Sequence, residues 1–182
     1  MALLRYPGSK ERIADAIVGT FPSAMQFGLW SASLGWEYRE PFFGGGGVGF
    51  RLLDILNRQC AVRINDADRG IAALWAAVRD EPAALCAMVN AFEPTVESFD
   101  RLKAADGVDG VDGTVAGFSK LALHRISFSG LGAMAGGPLG GYGQATEYKV
   151  GCRWNAKGIC KEIRRLSETM NGFPCFRVTT GD

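Results

Sequence analysis

The stretch Glu40-Pro41-Phe42-Phe43-Gly44-Gly45-Gly46-Gly47-Val48-Gly49 carries the residue types and spacing with the plainest chemical use. Gly44, Gly46 and Gly49 fit G-x-G-x-x-G, a pattern in which the backbone turns sharply and comes close to a ligand. Asp66 follows Gly44 by 22 residues, in an Asn65-Asp66 pair at the end of the next predicted strand. A carboxylate there can accept both hydroxyls of an adenosine ribose; the competing use is a turn or helix cap. The kind of adenosine cofactor follows from charge. A dinucleotide brings a pyrophosphate, which Glu40 at the mouth of the glycine loop would repel. S-adenosylmethionine brings a sulfonium and an ammonium group instead, so the acid favours it over NAD, and a nicotinamide-dependent oxidoreductase is a distant alternative.

These residues need elements to hold them. Trp36 to Pro41 reads as a short strand, Gly44 to Gly49 as a loop, and Phe50 to Asn57 as a helix with Leu52, Leu53 and Leu56 on its apolar side. Cys60 to Asn65 reads as a second strand, and a helix using Ile71, Leu74, Trp75 and Val78 follows from Asp68. Upstream, Ser9 is placed to cap a helix from Lys10 to about Val18. Strand, glycine loop, helix, strand, acid, helix is the opening of an α/β nucleotide-binding domain. Downstream, Pro82 fits the first turn of a helix ending near Phe92, and Thr95 fits the cap of one reaching Ala105. Thr114 to Ser127 is helical by spacing, with Phe118, Leu121, Ala122, Arg125 and Ile126 on one buried stripe. Residues 129–143 contain seven glycines and must be irregular. Asn155 to Met170 is the last predicted helix and Cys175 to Thr180 the last strand.

Charge is distributed unevenly behind a net value of +1. Residues 80–117 carry two basic and eight acidic groups, residues 118–166 eight basic and two acidic. The basic block (Lys120, Arg125, Lys149, Arg153, Lys157, Lys161, Arg164, Arg165) is interleaved with Phe128, Tyr142, Tyr148 and Trp154. That combination suits a nucleic-acid backbone; the alternative is an ordinary solvated helix face.

Other chemistries are set aside. The five cysteines are odd in number and scattered, without a Cys-x-x-Cys pair, and His124 is the only histidine, so neither a disulfide framework nor a zinc site is expected. His124, within a helix and without a base partner nearby in sequence, reads as structural. The Asp-Gly repeat of residues 106–113 lacks the ligand spacing of a calcium loop and reads as a surface loop. With 47% hydrophobic and 21% charged residues, 182 residues suit a globular unit. No apolar run approaches membrane-spanning length, the N-terminus has no secretory pattern, and cytoplasm is the expected location.

Three motifs in order resemble one family, the Dam-type (D12 class) DNA adenine-N6 methyltransferases, many of them phage-encoded. Arg5-Tyr6-Pro7-Gly8-Ser9-Lys10 resembles its aromatic-Gly-x-Lys motif, Glu40-Pro41-Phe42-Phe43-Gly44-Gly45-Gly46 its glycine loop, and Asn65-Asp66-Ala67-Asp68 its acidic ribose motif. Leu123 to Leu131 with the later Gly-Pro-Leu-Gly-Gly-Tyr segment resembles, more loosely, its target-recognition region. The resemblance implies a Rossmann-like class I S-adenosylmethionine-dependent methyltransferase domain of α/β class, with an incomplete sheet and a small helical and loop DNA-recognition insertion. It divides the chain into a cofactor-binding part (1–79), a target-recognition region (80–170) and a return strand (171–182). It implies S-adenosylmethionine held by Tyr6, Lys10, Glu40, Phe42, Gly44, Gly46, Asp66 and Asp182, and double-stranded DNA contacted by Arg125, Lys149, Arg153 and Lys157, without a metal. The implied function is site-specific methylation of adenine in DNA, in settings such as restriction-modification.

The family's catalytic tetrapeptide, Asp-Pro-Pro-Tyr, does not occur in the 182 residues. Its carboxylate and carbonyl would accept the two N6 hydrogens of a flipped adenine, and its aromatic would stack on the base. The expectation is a chain cut before that motif, with an exposed sheet edge near Cys175 to Thr180. A non-catalytic binder of DNA and S-adenosylmethionine is the alternative.

Overall fold

A computed structural model describes residues 2–5, 8–21, 37–56, 58 and 60–181. Tyr6 and Asp182, both expected at the cofactor, lie outside the described residues, as does Trp36. Three parallel strands, β1 (Glu37–Glu40), β2 (Ala61–Asp66) and β3 (Cys175–Thr180), form a sheet in the order β1-β2-β3. Glu40 pairs with Ile64, and Ile64 with Val178. Alternation along β2 buries Val62 and Ile64 between layers. The strand ends are tied by one side chain. Asn65 Nδ2 donates to Pro41 O (3.2 Å) and Gly181 O (2.8 Å), while its Oδ1 accepts from Thr179 Oγ1 (2.8 Å). That rim, at the carboxyl ends of parallel strands, is where α/β folds bind ligands. Among the described residues, β1 and β3 have no further strand on their outer edges.

The helices are α1 (Ala14–Val18), α2 (Gly47–Leu53), α3 (Arg69–Asp80), α4 (Pro82–Ala91), α5 (Val96–Ala105), α6 (Gly113–Ile126) and α7 (Ala156–Asn171). Their starts have local causes. Asp68 accepts from Gly70 N and Ile71 N and caps α3. Pro82 opens α4, Thr95 and Ser98 form a reciprocal capping box on α5, Asp112 caps α6 and Asn155 caps α7. Several predicted boundaries shift, most by one residue. The first helix begins as a 3-10 turn, Glu11–Ile13, before α1. The helix expected from Phe50 starts at Gly47, and the glycines after Gly46 are its first turn rather than loop.

One hydrophobic cluster spans the expected boundary at residue 80, joining Leu52, Val62 and Trp75 to Leu85, Val89, Ile159 and Ile163. A second, of Phe99, Leu123, Ile126, Ala135 and Val150, anchors the glycine-rich segment after α6. That segment is irregular, with two 3-10 turns (Phe128–Gly130 and Gly132–Met134) and a bridge between Ser127 and Pro138. Among the described residues, no helix is long and apolar enough to cross a membrane.

Candidate functional site

The glycine loop is built on an aromatic base. Phe43, Phe50 and Trp75 meet edge to face or tilted, with centroids 5.1–5.3 Å apart, and all three are buried. Above them Gly44, at φ +51°, is held at both ends. Its N–H donates to Asp66 Oδ2 (2.7 Å) and its carbonyl accepts from Trp75 Nε1 (2.9 Å). Gly46 takes φ +71° as the N-cap of α2, a left-handed conformation costly for residues with a Cβ. Gly49 is required for a different reason: a Cβ there would collide with the Glu40 carboxylate and the Phe43 ring. The third glycine of the pattern thus lets α2 lie against the end of β1.

A cavity of about 590 Å³ opens over this loop. It gathers three separated segments: Gly8–Lys10, Glu40 with Phe42–Val48, and Asp66–Asp68. Six of the eight residues expected to bind cofactor line it: Lys10, Glu40, Phe42, Gly44, Gly46 and Asp66. Lys10 is exposed and its Nζ donates to Gly8 O (2.7 Å). Phe42 is 86% exposed and turns an apolar ring to the cavity's edge. Asp66 receives Gly44 N–H on one oxygen and Asp68 N–H on the other (3.0 Å), which orients the carboxylate and leaves lone pairs for further donors. Glu40 is half-buried; burial raises its pKa to about 7, partly offset by the hydrogen bond from Tyr38 Oη (2.8 Å). Among the described residues, no cluster of side chains is arranged to hold a metal ion.

Tyr38, Trp75 and Asp68 are supporting residues that sequence reasoning did not assign to the site. Tyr38 had a signal, since it stands two residues before Glu40 on one strand and so on the same face. Trp75 read as a core residue of its helix, which it also is; its indole N–H has a second use that apolar spacing does not reveal.

The basic block divides. Lys149, Arg153 and Lys157 are exposed. Arg153 shares an apolar cleft of about 660 Å³ with the exposed rings of Phe128, Tyr142 and Tyr148. Arg125, expected at DNA, is corrected: it is 4% exposed, and its guanidinium donates to Leu3 O (2.7 and 3.0 Å), Ala2 O (2.8 Å) and Arg153 O (3.3 Å). Burial pushes its pKa down to about 10, with the neighbouring Arg5 charge adding to the effect. Arg125 ties the N-terminal segment to α6. Lys120 is likewise buried, between Asp68 and Asp106, and Trp154 packs on Phe92 with centroids 4.8 Å apart. His124 is structural: its Nδ1 faces the carbonyls of Gly130 (2.9 Å) and Arg5 (3.1 Å), two acceptors that require the proton on that nitrogen.

The family model described as D12 class N6 adenine-specific DNA methyltransferase matches residues 6–137. The match includes the glycine loop, Asp66 and all of α6. No curated protein matches the chain.

Proposed function

The chain belongs to the D12 class N6 adenine-specific DNA methyltransferases, and from that premise we propose that the cavity of about 590 Å³ is its S-adenosylmethionine site. As a member of that family it is a transferase acting on adenine N6 of DNA. The observation that carries the cofactor reading is the convergence of Lys10, Glu40, Gly44, Gly46 and Asp66 on one cavity from three segments. The donor set fits the group. Three carboxylates (Glu40, Asp66 and Asp68) against one lysine in the described lining suit a cationic, phosphate-free adenosine derivative. S-adenosylmethionine supplies, when bound, an electrophilic methyl group on a sulfonium.

This chain's residues then have separate tasks. Asp66 accepts the ribose hydroxyls with the lone pairs that Gly44 and Asp68 leave unused. Glu40 ionises and faces the ammonium of the methionine portion. The left-handed turn at Gly46 shapes the loop, and the lack of a Cβ there lets it lie on the rings of Phe43 and Phe50. Lys10 and Phe42 close the sides, Phe42 by covering apolar surface. Tyr6 and Asp182 complete the set by resemblance. Double-stranded DNA runs over Lys149, Arg153 and Lys157, and the protein works in the cytoplasm.

Absence of an Asp-Pro-Pro-aromatic sequence from the 182 residues favours a second reading. Here these residues bind cofactor and DNA, and the group that activates N6 is not among them. Two measurements test both readings: binding of S-adenosylmethionine by calorimetry, and methyl transfer to adenine-containing duplex DNA. Binding with transfer supports the first reading; binding without transfer supports the second. No binding rejects the cofactor assignment in either.

A further inference from the structure

Lys120 sits in the middle of α6, far in sequence from the cofactor segments, with its side chain 7% exposed. Its ammonium lies 2.7 Å from Asp68 Oδ2 and 2.9 and 3.1 Å from the two oxygens of Asp106, the residue that ends α5. The other oxygen of Asp68 caps α3 through Gly70 N (2.9 Å) and Ile71 N (3.1 Å). The Asp68 N–H donates to Asp66, which holds Gly44. An unbroken chain of polar contacts therefore runs from Gly44 in the loop through Asp66, Asp68 and Lys120 to Asp106. The path of the lysine stem is also prepared. It crosses Gly70, where a Cβ would stand 3.0 Å from Lys120 Cδ and 3.2 Å from Cγ.

We propose that Lys120 is a positioning residue for the cofactor site: it fixes Asp68, and through Asp68 the Asp66 carboxylate and the Gly44 amide, against the α5–α6 junction. An ordinary surface ion pair would contribute little, whereas a buried ammonium between two carboxylates holds all three groups in one geometry. Burial alone would lower the pKa of Lys120, but hydrogen bonds and charge from Asp68 and Asp106 outweigh it, so the ammonium stays protonated. The proposal rests on the cofactor reading of the cavity, yet its first test needs no ligand.

That test is amide hydrogen exchange on the 182-residue chain. Lys120→Met with Asp106→Asn removes the ammonium without adding a net buried charge. Gly70→Ala keeps every charge and crowds the Lys120–Asp68 contact, its methyl standing 3.0 and 3.2 Å from the lysine stem and 3.2 Å from Asp68 Oδ1. In both variants the Gly44 and Asp68 amides exchange about tenfold faster, while Val62 and Ile64 in the central strand keep the wild-type rate. S-adenosylmethionine affinity falls by a similar factor. Unchanged exchange at Gly44 and Asp68 in the Lys120→Met, Asp106→Asn variant overturns the proposal, as does an equal rise at all four amides, which marks general destabilisation. A wild-type chain that binds no S-adenosylmethionine rejects the cofactor reading and leaves the exchange result to decide on Lys120.

Discussion

Asp66 Oδ2 accepts the Gly44 N–H at 2.7 Å, so the acid at the end of β2 holds the glycine loop that follows β1. The carboxylate shapes the loop, and in the proposed assignment its remaining lone pairs receive the ribose hydroxyls of the cofactor. Substitution removes both. Asp66→Ala is expected to weaken S-adenosylmethionine binding by about 1–3 kcal/mol, the cost of a lost charged hydrogen bond and an unpaired amide. Asp66→Asn retains one acceptor for Gly44 N–H but turns an NH₂ toward a donor, and its affinity falls between those of wild type and Asp66→Ala. Calorimetric titration of the three proteins checks the order.

Gly49 is predicted to be as sensitive as the loop glycines, although it lies inside α2. In Gly49→Ala the new methyl meets the Glu40 carboxylate and the Phe43 ring, and the helix must move from the strand end. A destabilisation of about 1–3 kcal/mol is expected from such overpacking, read as a lower thermal midpoint.

If Glu40 faces the cofactor as proposed, affinity should depend on pH. Its pKa in the free protein is raised to about 7, and a cationic ligand prefers the ionised form. Affinity should therefore rise as pH increases through about 7, with proton release on binding in that range. Stability of the free protein has the opposite sign. A carboxyl with a raised folded-state pKa contributes stability that is full below its unfolded value and is lost as pH rises through about 7. Glu40→Gln should flatten both profiles, measured by titration calorimetry and by unfolding across that range.

Arginines of the basic block should separate by readout. Arg125→Ala is expected to destabilise the fold by about 1–3 kcal/mol, because carbonyls of Ala2 and Leu3 lose their donor. Arg153→Ala with Lys157→Ala should leave the thermal midpoint nearly unchanged. It should weaken duplex DNA binding and lower the salt slope by about one for each phosphate no longer neutralised.

The glycine loop and its acid were legible in the sequence because their constraints are local. Glycines at fixed spacing and an acid at a strand end each answer to one turn of backbone, and the helix starts at Pro82 and Thr95 follow the same logic. The start of α2 was less visible: its glycines disfavour helix, yet contact with the end of β1 demands them. Arg125 gave two conflicting signals, the charge count pointing to DNA and the apolar stripe of α6 pointing inward. The stripe prevailed, since the long side chain found carbonyls of the N-terminal segment to satisfy it. Lys120 and Trp75 depend on partners distant in sequence, which no local pattern could supply.

The most direct test of the central claim is titration of S-adenosylmethionine into the ¹⁵N-labelled chain, followed through the amides of Gly44, Gly46 and Asp68. The cofactor assignment predicts saturable shifts at these three amides, strongly weakened in Asp66→Ala, with no comparable response to NAD. Absence of shifts, or shifts that persist unchanged in Asp66→Ala, would contradict it.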